Sequence, residues 1–111
     1  MHETLETVKL YLDKFYGEPI VCYKYGFIYT NQKGFLGVAV AIDKDKPTKV
    51  IISSAANYGD DDGWDSHRGN VIAMIDIHSP DSLERIKDTV HDARDKMEKG
   101  TLRFTPTSTG M

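Results

Sequence analysis

The 111-residue chain has one cysteine, and that scarcity is the first constraint. With Cys22 alone no internal disulfide can form, which suits a reducing compartment. No apolar run approaches the roughly 20 residues needed to cross a bilayer. The opening MHETLETVKL carries acids in an amphipathic pattern where a signal peptide would carry an apolar stretch, so the expected location is cytoplasmic. Basic residues are also in deficit. Lys and Arg number 14 against 17 Asp and Glu, a formal net charge of −3, which argues against a nucleic-acid backbone as partner. A phosphate-binding glycine loop, a cysteine pair for zinc, His-Glu-x-x-His and a dinucleotide fingerprint are all lacking. Ser53 and Ser54 follow an apolar run without the Gly-x-Ser-x-Gly elbow of a serine hydrolase. No cofactor signature and no complete catalytic constellation remain, so the reading leans away from an enzyme.

What is present fits one domain over residues 1–104 with a frayed tail over 105–111. Hydrophobic residues at 40% and charged residues at 28% are the proportions of a globular chain with a modest core. In HETLETVKLYLDKFYGEP, Leu5, Val8, Leu12 and Phe15 recur at three- and four-residue spacing, one stripe of a helix. His2 or Thr4 lies near its start, and Gly17 with Pro19 ends it. Strand-like runs follow: IVCYKYGFIYT with a break or bulge at Gly26, FLGVAVAID, KVIISSA and VIAMIDIH. NQKG and KDKPT between them are too short for helical crossovers, so the strands should be antiparallel neighbours. In SPDSLERIKDTVHDARDKMEKG, Ser79 offers a cap, Pro80 suits the first helical position and Asp81 the positive end of the dipole. Leu83, Ile86, Val90, Ala93 and Met97 form its stripe, and Gly100 stops it. TLRF could add an edge strand. The expectation is an α+β domain: a mostly antiparallel sheet of four to five strands with an N-terminal and a C-terminal helix packed on it.

Alternation sorts each strand into two faces. Leu36, Val38, Val40 and Ile42 form one face, and Val71, Ala73, Ile75 and Ile77 add to it. The second face would carry Phe35, Ala39, Ala41, Ile51, Ile72 and Met74, with Tyr23 and Tyr25. That is too apolar for a solvated face. The helices could cover opposite faces, a homodimer could bury this one, or another protein could dock there.

The stretch NYGDDDGWDSHRGN gathers the remaining chemistry. Loops on a rigid sheet concentrate binding residues, and this one is long. Tyr58, Asp60, Asp61, Asp62, Trp64, Asp65 and Arg68 form the expected partner-binding set: the acids steer towards a basic partner and Trp64 buries area. The competing reading is a divalent-metal or small-ligand site, enzymatic in its fullest form, from Asp60, Asp62, Asp65, His67, Asp76 and His78. The EF-hand spacing fails. Setting Gly63 on that loop's invariant glycine leaves Tyr58 at the first ligand position and Gly69 at the closing glutamate. Three adjacent aspartates also favour a plain solvated loop. Asp76 and His78 alternate near a strand end, where a dyad competes with ordinary exposed polar residues. Cys22 is expected to be a buried, unreactive thiol. The tyrosines read as cross-strand packing partners, since the basic flanks of an RNA-binding sheet are missing. The leading expectation is a small acidic binding module that acts through protein–protein association and associates with itself.

Overall fold

The first periodic segment folds as α1 (Glu3–Tyr16). His2 caps it, its Nδ1 accepting the Thr4 backbone N–H at 3.1 Å. Gly17 ends it at φ +72°, a left-handed angle that costs glycine nothing. Leu5, Val8 and Leu12 are fully buried, but Phe15 leaves the stripe and is 51% exposed. Its ring lies 5.4 Å from Tyr11 and under the Lys87 ammonium at 4.9 Å, outside the core. The coordinates form a computed structural model that describes residues 2–19, 21–30, 36–57, 64–65 and 70–102.

Among the described residues six strands follow: β1 (Val21–Tyr23), β2 (Gly26–Thr30), β3 (Leu36–Ile42), β4 (Lys49–Asn57), β5 (Trp64–Asp65) and β6 (Val71–Asp76). Each pairs antiparallel with its neighbour, and β5 and β6 both lie along β4, so the sheet is five strands wide. IVCYKYGFIYT breaks just before Gly26, where a break or bulge was expected, and forms two strands. The chain reverses at Lys24 and Tyr25, which brings Tyr23 opposite Gly26. Gly26 makes that hairpin fit against β3, because a β-carbon there would stand 2.9 Å from the Val40 carbonyl oxygen. The NQKG loop lies outside the described residues. At the entry to KDKPT the carboxylate of the preceding Asp43 accepts the Asp45 N–H at 2.8 Å, a side-chain turn.

α2 (Ser82–Glu98) starts two residues later than a Ser79 cap with Pro80 as first helical residue implies. The Ser79 hydroxyl donates to the Asp76 carbonyl at 2.6 Å, and the Ser82 hydroxyl donates to the Ile77 carbonyl at 2.7 Å. Both groups close the turn out of β6, and helical bonding begins at the Asp81 carbonyl. Ile86, Val90, Ala93 and Met97 are buried as the stripe requires. The exposed pairs Asp92–Lys96 and Asp95–Lys99 form at 3.1 and 2.9 Å, each worth about 0.3–0.5 kcal/mol. Thr101 and Leu102 donate back to the Lys96 carbonyl and close the helix end, without strand pairing. The rest of the expected TLRF strand lies outside the described residues.

Both helices lie on one face of the sheet. A single core joins Leu5, Val8 and Leu12 of α1 and Ile86, Val90 and Met97 of α2 to Phe27, Val38, Val40, Ile42, Val50, Ile52 and Ile75. The arrangement with a helix on each face is therefore excluded. Ser54 is a fully buried polar residue of this interior, and it is satisfied. Its hydroxyl accepts the Asn70 N–H at 2.9 Å while its own N–H donates to the Asn70 carbonyl at 3.0 Å. Among the described residues no helix is long and apolar enough to cross a membrane.

Candidate functional site

The loop singled out from sequence is mostly outside the described residues: Tyr58, Asp60, Asp61, Asp62, His67 and Arg68 all fall there. The backbone places Trp64 and Asp65 in β5, opposite Asn57 and Ala56 of β4. Asp76 and His78 are described. The Asp76 carboxylate accepts the backbone N–H of His78 at 2.9 Å, shaping the turn into α2, and His78 is exposed. Among the described residues no group of three or more His, Cys, Asp or Glu side chains could hold a metal ion.

Cys22 is exposed, against the expectation of burial. It shares its side of the sheet with Phe27, but β1 is a three-residue edge strand and the helices do not extend over it enough to bury the thiol.

Two places carry more than structure strictly needs. The first is the seam between α1 and α2. Tyr16 donates its hydroxyl to the Lys87 carbonyl at 3.1 Å, and its ring stacks on His91 at 6.4 Å. The Arg94 guanidinium lies 4.6 Å from the Tyr16 ring and 4.9 Å from that of Tyr29. A groove of about 580 Å³ runs beside these groups. Its cations, Lys87 and Arg94, are matched by Asp88, Asp95 and Glu98, and its rings are already faced by the chain's own cations. That balance reads as helix packing. Beneath it the Tyr29 hydroxyl is buried without a hydrogen-bond partner among the described residues, and burial, then the charge of Asp13, pushes its phenol well above the ordinary value.

The second place is the sheet face that the helices leave uncovered. The register puts Tyr23, Ile28, Ala39, Ala41, Ile51, Ser53 and Met74 on it. A bulge changes the assignment at the start of β6. Ala73 lies opposite Ile52 and Val71 opposite Ser53, so Ile72 is the extra residue. Val71, expected in the core, therefore joins the outer face and is 59% exposed. Ile72 instead lines a groove with Ala93 and Lys96 of α2. Met74 is 56% exposed and Tyr23 40%. Between these ends Ile28, Ala39 and Ala55 form a small buried cluster. The outward residues of β4 and β6 carry no charge until Lys49, which lies opposite Asp76 at one end. The under-polar alternation in the sequence signalled this face. Nothing in the sequence signalled the bulge that turns Val71 outward.

No family model, curated protein or solved structure matches the chain.

Proposed function

We propose that the protein is a binding module that works by associating with a second copy of itself through the β4–β6 half of the uncovered sheet face. One observation carries this reading: both helices pack on the same face, which leaves Val71 and Met74 more than half exposed beside Ile51. Water around such a row is released when a second apolar surface covers it, at about 25 cal/mol for each Å² buried. Charge supports a copy as the occupant. Two chains of net charge −3 repel as wholes, so they meet most readily where neither presents charge. The β4–β6 half is such a place, with Lys49 opposite Asp76 at its margin. Two sheets stacked face to face about 10 Å apart, with strands near −30°, are the ordinary geometry for such a contact. The acidic loop keeps a separate part in this reading, steering towards a basic partner. Trp64→Ala should weaken binding of that partner without unfolding the domain.

Sedimentation equilibrium tests the self-association. The wild type should weigh twice the 12.5 kDa chain. Val71→Asp with Met74→Asp should return it to a monomer with unchanged circular dichroism, since both side chains already face water. A wild type that stays monomeric at its highest soluble concentration removes the reading.

A further inference from the structure

The other half of the uncovered face, over β1 to β3, holds a hollow of about 440 Å³. That falls within the roughly 300–1,000 Å³ typical of ligand pockets. Ile28 and Ala39 make a nearly buried floor, and the small side chain of Ala41, opposite Gly26 in the register, lines it where a larger one would project into the hollow. Tyr23 contributes to the wall. Lys24, from the β1–β2 turn, and Lys44, from the turn after β3, also line the hollow. Their ammonium groups stand 5.4 and 5.1 Å from the Tyr25 ring centroid, so one aromatic ring holds both cations beside the same opening. Neither lysine has a carboxylate within ion-pair distance among the described residues. Among the described residues no acidic side chain lines the hollow.

We infer that this hollow binds a small amphipathic carboxylate, its apolar chain on the Gly26–Ile28–Ala39–Ala41 floor and its anionic head between Lys24 and Lys44. The water-exposed apolar surface of Tyr23 and Ala41 gains from covering with hydrocarbon, while two ammonium groups at one end, without a carboxylate partner among the described residues, select a negative head over a neutral or positive one. The local charge is positive on a chain that is negative as a whole, so an anion is drawn here and repelled elsewhere. The site is independent of self-association: its residues lie on β1 to β3 and the adjoining turns, outside the proposed dimer patch.

The test is calorimetric titration of the full chain with decanoate, and in parallel with decanol and decylammonium. Alanine methyl resonances of Ala39 and Ala41 locate the binding. Decanoate should bind saturably and shift those two methyls, with decanol and decylammonium at least tenfold weaker. Lys24→Ser with Lys44→Ser should weaken decanoate about tenfold and leave decanol unchanged. Both lysines are exposed turn residues, so this variant keeps its fold. Ala41→Leu should fill the hollow and abolish binding of every probe. If that variant does not fold, the lysine pair still decides. Equal affinity for decanoate and decanol, a double variant that binds like wild type, or no shift at Ala39 and Ala41 overturns the inference. Because Val71→Asp with Met74→Asp leaves all these residues intact, loss of the dimer and loss of the ligand are separately visible.

Discussion

Tyr29 shows how much a single side chain can carry without being well served. Its ring is 2% exposed, edge-on to Tyr16 and Phe27, and its hydroxyl is buried with no partner among the described residues. A buried hydroxyl with no partner keeps the cost of leaving water and gains nothing in return. Tyr29→Phe keeps the ring contacts and removes that cost, so stability in a urea titration should hold or rise by up to about 1 kcal/mol. A loss of more than that would mean the hydroxyl has a partner that matters. At this scale the sequence is partly legible. A tyrosine in a β-branched run reads as a packed residue, and it is one. Cys22 and Phe15 read the same way yet are exposed, because burial depends on where the covering helices end, and periodicity within one strand or helix carries no information about that.

Elements are tied to one another by fewer groups than hold each together. Between α1 and α2 the Tyr11 hydroxyl donates to Glu84 Oε2 at 2.7 Å, and Lys87 donates to Glu84 Oε1 at 2.7 Å. The hydrogen bond from Lys87, then that from Tyr11, holds the Glu84 carboxyl below its ordinary range. A carboxyl whose value is lower folded than unfolded contributes stability above the unfolded value, and that contribution is lost as pH falls through the lower folded one. The stability gap between wild type and Glu84→Gln should therefore be full at neutral pH and should narrow on acidification through the carboxylate range. Thermal unfolding of both proteins at stepped pH measures it, and a gap that does not change with pH would show that the carboxylate's charge is not what joins the helices. Exposed on both sides, the tie is small in energy and serves mainly to fix how the helices meet. The helices themselves were readable from stripe and stop signals: Gly17 and Gly100 end them where expected, both at positive φ. The start of α2 was not, since Ser79 and Ser82 had two competing uses and the turn out of β6 took both. The division of β1 from β2 was readable only as a break or bulge at Gly26, not as a hairpin turn. Lys24 and Tyr25 are not turn-forming residues by composition, and only Gly26, needed for its closeness to Val40, marks the place.

For the molecule as a whole, the α+β class and the antiparallel order follow from short connections between strands, and the structure has both. Which face each helix covers does not follow from any local pattern. Each helix has one stripe and the sheet has two apolar faces, so the choice is made by connection geometry and by the bulky set of Val38, Val40, Val50 and Ile52 outcompeting the small residues opposite. The outcome leaves the smaller-residue face without a helix and its β6 edge at Val71 and Met74 exposed, and this favours association as the explanation of its composition. Salt distinguishes the two ways such a protein could associate. A contact through the uncharged β4–β6 half involves no ion pairs to screen, while two copies of charge −3 repel at long range. Raising the salt from about 0.1 M to about 1 M shortens the screening length from about 10 Å to about 3 Å. Dimerisation through this face should therefore hold or tighten modestly over that range, and its heat capacity change should be negative. Association driven by an acidic loop against basic side chains would instead weaken steeply. Sedimentation at the two salt concentrations reads the sign directly, and a clear weakening would move the interface from the sheet face to the charged loop.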